Sequence, residues 1–282
     1  MAVMAWRHDL NDLGKRMGEL RDSAAGVGSW VRFFGSGQEY GKAGASSKRS
    51  SIQVGADADV GSGWKVGGAF TYTDGSSTLV NGSADNKGYG VAAYGTWMAE
   101  NGLYVDLVGR YSRLSDDFTI GAMRGKSKNN AWSASAETGW HVMLSDYAFV
   151  EPQAELTYGL VSGDNFTTSN GVVVDQDDAK ALIGRVGVRT GMHLPDKKGT
   201  LYARASLLHD FKGDTGFTAH LASDASVRDT FKDDVGGTYY EMGLGANFNG
   251  TPNAYTYLDI ERQGGGEIKE NWRWNVGFRY VW

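Results

Sequence analysis

The last eight residues, Asn-Val-Gly-Phe-Arg-Tyr-Val-Trp (275–282), constrain the fold more than any other stretch of the chain. They alternate strictly. Val276, Phe278, Tyr280 and Trp282 fall on one face, and Asn275, Gly277, Arg279 and the smaller Val281 on the other. A period of two is the signature of a strand. A strand with four large apolar groups on one face, ending on an aromatic residue, needs either a second sheet to cover it or lipid as its solvent. The edge of a soluble sandwich would supply the first. Outer-membrane barrels use the second, with apolar side chains outward, polar ones inward and aromatics at the interfaces.

The composition of the 282 residues fits lipid better than it first appears. No run approaches the ~18 uninterrupted apolar residues of a membrane helix, and the mean hydropathy is slightly negative, −0.39. In a barrel, however, half of each strand faces a polar lumen and dilutes the average. The chain has 41 glycines, nine tryptophans, fourteen tyrosines and eleven phenylalanines, but three prolines and no cysteine. The lack of cysteine excludes disulfides, thiolate nucleophiles and cysteine-based zinc sites. It also suits a chain that crosses an oxidising periplasm unfolded. A net charge of −5 gives no support for nucleic-acid binding. Met1 to Trp6 is too short for a signal peptide, and the chain reads as the C-terminal part of a longer precursor.

Alternating stretches recur near 27–36, 48–60, 64–74, 87–99, 102–115, 129–144, 147–162, 179–194, 200–213, 236–249, 253–264 and 271–282, which makes twelve strands. Most reach the ~9–11 residues needed to cross a membrane obliquely. Tight turns at 61–63, 100–102, 145–146, 195–199 and 250–252 alternate with longer polar connections near 37–47, 75–86, 116–128, 163–178, 214–235 and 265–270. An even number of strands with short turns on one side and long loops on the other is the pattern of a transmembrane barrel. A sandwich has no reason to sort its loops in this way. The expected fold is therefore an all-β membrane protein, a twelve-stranded antiparallel outer-membrane β-barrel over 26–282.

Facing can be read strand by strand. Leu103, Val105, Leu107 and Tyr111 point outward, leaving Asp106 and Arg110 inward. Trp132, Ala134, Ala136 and Trp140 leave Glu137 and His141 inward, and Val150, Pro152, Ala154 and Leu156 leave Glu151 and Glu155 inward. Three consecutive strands thus send Asp106, Glu137 and Glu155 into one lumen.

Residues 5–22, within an N-terminal segment that spans 1–25, follow another period. Leu10, Leu13, Met17 and Leu20 are spaced three and four apart, a helical stripe, with Lys15, Arg16 and Arg21 among acidic neighbours. Gly14 and Gly18 each weaken a helix by about 1 kcal/mol relative to alanine. The segment reads either as an amphipathic periplasmic plug or linker, or as an α-helix threaded through the pore. A twelve-strand lumen admits a helix about 10 Å wide. The five histidines (His8, His141, His193, His209, His220) show no ligand spacing, so no metal and no cofactor is expected. The sequence has no phosphate loop and no Ser-His-Asp order.

Several blocks carry a more specific likeness: NDLGKRMGELRD (11–22), SIQVGAD (51–57), FTYTDG (70–75), GLYVDLVGRY (102–111), FVEPQAELTYG (149–159) and LIGRVGV (182–188), with the aromatic end. Together they resemble the β-domain of the classical monomeric autotransporters, above all the EspP-like serine protease autotransporters of enterobacteria, and next the AIDA adhesin group. The resemblance implies a monomeric translocator of type V secretion in the outer membrane of Gram-negative bacteria. Its partners would be lipid, the barrel-assembly machinery, periplasmic chaperones and its own N-terminal passenger. Gly277, Tyr280 and Trp282 match the C-terminal signal that the assembly machinery reads.

In the EspP-like branch the barrel cuts its own passenger inside the lumen. The family pattern Asn-Asn-Leu-Asn-Lys-Arg-Met-Gly is matched here by Asn11-Asp12-Leu13-Gly14-Lys15-Arg16-Met17-Gly18, which implies scission between Asn11 and Asp12. The resemblance implies a single-turnover cyclisation of Asn11 with no external substrate, in which Asp106, Glu137 and Glu155 would serve. Asp12 departs from the family's asparagine. The alternative is a non-cleaving barrel that anchors a surface adhesin or passes solutes. There the carboxylates would pair with Lys15, Arg16, Arg21, Arg110 or Arg204.

Overall fold

The wall strands of the structure, a computed structural model describing residues 1–10, Leu20, 26–251 and 253–282, alternate over most of their length between side chains buried in a lumen and side chains exposed outside. The strands are β1 (Val27–Tyr40), β2 (Ala45–Gly61), β3 (Trp64–Leu79), β4 (Gly82–Met98), β5 (Leu103–Ile120) and β6 (Met123–Trp140), then β7 (Ala148–Val161), β8 (Ala179–His193), β9 (Gly199–Asp210), β10 (Gly237–Thr251), β11 (Ala254–Gly264) and β12 (Ile268–Val281). Each pairs antiparallel with its sequence neighbour. β12 returns to β1, with Gly28 opposite Val281, and closes a twelve-stranded barrel without free edges.

The outer surface carries an apolar band that includes Val54, Leu107, Leu156, Val186, Leu207 and Ile260, all exposed. Aromatic residues border it. Tyr89 and Trp132 stand toward the long-loop end, while Trp140, Tyr147 and Trp282 stand toward the short-turn end. At the short-turn end the indole of Trp140 donates to the carbonyl of Asn101 (2.7 Å) and that of Trp97 to the carbonyl of Ser62 (3.1 Å). The lumen face is polar: Arg32, Arg49, Arg273 and Arg279 are each almost fully buried.

The strands run past their expected ends. The connections expected near 37–47, 75–86 and 116–128 are mostly paired strand, and the turns between Tyr40 and Ala45, Leu79 and Gly82, and Ile120 and Met123 are tight. Beyond the lipid both faces of a strand are polar, so the alternation disappears while the backbone ladder continues. Two of the three remaining connections, 163–178 and 214–235, build a small four-stranded sheet of Asn165–Thr167, Val172–Gln176, Asp214–Leu221 and Asp224–Asp234 over the same end.

Helix α1 (Ala2–Leu10) lies inside the barrel and begins three residues before the expected start at Ala5, while Leu13 and Met17 of the stripe lie outside the described residues. A single apolar face does not hold it, since all residues from Met4 to Asp9 are buried. Wall surrounds the helix on every side, so charged residues are enclosed together with Trp6. Met4 packs on Val235 and Ile268. The indole of Trp6 occupies the space where a side chain at Gly159 would stand. Leu20, also helical, is fully buried beside Trp30 and Tyr94.

Candidate functional site

Strand register decides which lumen groups meet. On the β5–β6 ladder Asp106 stands opposite Glu137, on β6–β7 Glu137 stands opposite Glu155, and on β7–β8 Glu155 stands opposite Arg185. Neighbouring strands lie about 4.8 Å apart, so three carboxylates and one guanidinium form a continuous row across four strands. Asp106 accepts a hydrogen bond from the hydroxyl of Thr96, itself opposite on β4, and is only 2% exposed. Glu137 accepts from the hydroxyl of Tyr104 at 2.9 Å and from Arg185. Glu155 accepts from Arg185 Nε at 2.8 Å and from the hydroxyl of Thr157 at 2.8 Å.

Arg185 joins the row together and is the group that the sequence reading missed. It also donates to the side-chain carbonyl of Gln153 at 3.3 Å, and the Gln153 amide in turn donates to Tyr104 at 2.9 Å. Its signal was present: Val186 and Val188 are exposed outward, which leaves Arg185 and Arg189 facing inward. What alternation lacks is register, and only register shows which carboxylates an inward arginine reaches.

The other arginines named from sequence divide differently. Arg110 meets α1, through the main-chain carbonyl of Asp9 and its carboxylate at 3.9 Å. Among the described residues Arg204 pairs with Asp259 (3.3 Å) and Glu261 on the wall. Asn11, Asp12, Lys15, Arg16 and Arg21 lie outside the described residues. Leu10, one position before Asn11, lines a cavity of about 30 Å³ with Arg7, Glu155, Thr157, Ile183 and Arg185. A space of that size holds about one water. Charge-assisted donors and acceptors around it are suited to orienting an amide and moving protons, without a serine or thiol nucleophile. Among the described residues no group of three or more histidines and carboxylates could hold a metal ion.

The C-terminal residues complete the closing strand. Gly277 faces the lumen, where the ring of Tyr257 covers it closely. Tyr280 and Trp282 face outward, and the main-chain nitrogen of Trp282 donates to the carbonyl of Val27 at 3.0 Å.

The family model of the autotransporter beta-domain matches residues 29–261. The serine protease pet autotransporter of Escherichia coli is 32% identical over 98% of the chain, and the chain spans 22% of that protein's length. The solved β-domain of the Bordetella autotransporter BrkA is 25% identical, with a TM-score of 0.72 over 91% of this chain and 100% of that one. The translocator domain of NalP from Neisseria meningitidis is 17% identical and superposes with a TM-score of 0.79 over 100% of this chain and 98% of that one, a likeness of fold.

Proposed function

The chain belongs to the autotransporter β-domain family, outer-membrane translocators of type V secretion in Gram-negative bacteria, and from this premise we propose that it carries a passenger to the cell surface and then cleaves the connecting chain within the barrel. Residues 1–25 would be the passenger end and pore helix, and 26–282 the translocator. Outer-membrane lipid surrounds the apolar band in this reading, and periplasmic chaperones and the barrel-assembly machinery deliver a monomer by reading Gly277, Tyr280 and Trp282.

Cleavage proceeds by cyclisation. The side-chain amide nitrogen of Asn11 attacks its own main-chain carbonyl carbon, the bond to the Asp12 nitrogen breaks, and that nitrogen leaves as an amine after gaining a proton. A succinimide remains on the passenger side. An amide nitrogen is a weak nucleophile, so the rate depends on orientation and on acids and bases that move protons. Asp106 is assigned the activation of Asn11, with Glu137 and Glu155 polarising the reacting groups. The observation that carries this reading is the in-register row Asp106–Glu137–Glu155, with Leu10 in the same cavity as Glu155.

A second reading keeps the row purely structural, because Arg185 already compensates Glu137 and Glu155. Intact-mass analysis of the barrel purified from cells making the passenger-bearing precursor separates the two. A product beginning at Asp12 supports cleavage; a barrel still joined to its passenger refutes it.

A further inference from the structure

We propose that Arg7, His8 and Asp9 clamp the passenger side of α1 to three sectors of the barrel wall, so that the cleaved passenger stays held on the cell surface instead of diffusing away. This rests on the scission after Asn11 argued above. All three clamp residues lie upstream of that bond, on the polypeptide that must leave.

Consecutive residues of a helix project about 100° apart, so three in a row cannot share one wall. Arg7 donates to Asp210 on β9 at 2.9 Å and to the carbonyl of Val235 at 2.8 Å, and the two side chains are 7% and 0% exposed. Tyr239 lies beneath its guanidinium, 5.7 Å from ring centroid to Cζ. His8 turns to the opposite wall. Its Nδ1 is 2.6 Å from Ser36 Oγ on β1, its Nε2 is 2.9 Å from Ser51 Oγ on β2, and its ring stacks on Phe34. Arg273 of β12 adds a hydrogen bond to the His8 carbonyl at 2.9 Å. Asp9 reaches a third sector, accepting from Ser112 of β5 at 3.2 Å and from Thr73 of β3 at 3.5 Å, beside Arg110.

Breaking one peptide bond below Leu10 removes none of these contacts. Withdrawal of α1 must break them together and leave Asp210 and Arg110 facing an emptied lumen. Removing one partner of a buried, hydrogen-bonded charge pair acts on dissociation, by about 30-fold or more. The way out is already shaped: Met1, Ala2 and Val3 line a cavity of about 430 Å³ between α1 and the outer loops, bordered by Tyr40, Phe217 and Phe231. The upstream chain can therefore pass outside while α1 remains seated.

The test uses the passenger-bearing precursor in cells, with cells and medium separated over time and analysed after denaturation. The wild-type passenger should be cut yet remain with the cells and co-purify with the barrel in mild detergent. Arg7→Gln combined with Asp9→Asn leaves the wall intact and, with release counted only over passenger already cut because Arg7 also borders the cavity beside Leu10, should send that passenger into the medium about 30-fold faster or more. Equal release from both would overturn the clamp. If the wild-type precursor stays uncut, the cleavage reading fails, and the clamp is read on the 282-residue chain itself. That chain has no cysteine, so Ala5→Cys, at a position 7% exposed, gives a single label site. Modification by a maleimide should be at least about 10-fold slower with Arg7 and Asp9 present than in the Arg7→Gln, Asp9→Asn background, one decade of opening for roughly 1.4 kcal/mol. Identical rates would dispose of the clamp as well.

Discussion

Asp106 and Glu137 stand directly opposite one another on β5 and β6, both buried and both directed into the lumen. Like charges at opposed positions of a ladder repel. The wall answers with donors: Thr96 to Asp106, Tyr104 to Glu137 at 2.9 Å, and Arg185 to Glu137 and Glu155.

Arg185→Gln should therefore destabilise the barrel. Removing one partner of a buried ion pair typically costs about 3–5 kcal/mol. The folded band on an unheated gel should convert to the unfolded band at a distinctly lower temperature. Glu137→Gln in the same chain should recover part of the loss, since it removes a carboxylate that Arg185 no longer compensates. An unchanged conversion temperature for Arg185→Gln would mean that lumen water compensates the row.

Conductance tests the helix as a plug. With Met4 to Asp9 buried in the lumen, the full chain should pass little current in a planar bilayer. A chain starting near Ala24 should open a larger pore. Equal conductances would remove the plug, and with it any chemistry inside the barrel.

The closing strand gives a third prediction. Trp282 is 72% exposed on the outer face, where a lipid interface would lie, and its main chain ties β12 to β1. Trp282→Ser should lower the amount of folded, heat-modifiable protein in the outer membrane while synthesis continues unchanged. Gly277→Val should do the same for another reason, since its side chain would enter the space of the Tyr257 ring, and overpacking costs about 1–3 kcal/mol. Normal membrane yield of both variants would contradict these roles.

The barrel was legible because membrane strands have two unlike solvents. Leu107 and Asp106 differ in hydropathy because one meets lipid and the other the lumen, so alternation reports strand, face and count together. Legibility ended where that contrast ended. Above the lipid, residues such as Asn86 and Asp116 pair across β4 and β5 in strand geometry, yet polar residues on both faces read as loop. The three carboxylates could be placed inward from the sequence, but their order in one row with Arg185 could not. Register depends on strand lengths and on every turn before it, and a one-residue shift would exchange lumen and lipid faces. The helical period was visible only as a stripe of leucine and methionine that begins at Leu10, where α1 ends. Arg7, His8 and Asp9 carry no such signal, because their partners Asp210, Ser36, Ser51 and Ser112 lie on strands remote in sequence.

The most exposed prediction concerns Asn11. With the passenger restored, the precursor should be cut after Asn11 without any added protease. Asn11→Asp should abolish or greatly slow the step, because a carboxylate lacks the nitrogen that attacks. Asp106→Asn keeps the shape of the side chain but removes its charge and its capacity as a base. General acid–base assistance is typically worth about 10²–10⁴-fold, so uncut precursor should dominate the gel while the barrel still folds. Glu137→Gln and Glu155→Gln should lose less if they tune the site rather than take the proton. Asp12→Asn would restore the family residue on the leaving side; relief of negative charge beside the carboxylate row should speed cleavage. An Asn11→Asp precursor cut at the wild-type rate and at the same bond would assign the cut to another protease, and leave Asp106, Glu137 and Glu155 to the structural role that their pairing with Thr96, Tyr104 and Arg185 already supports.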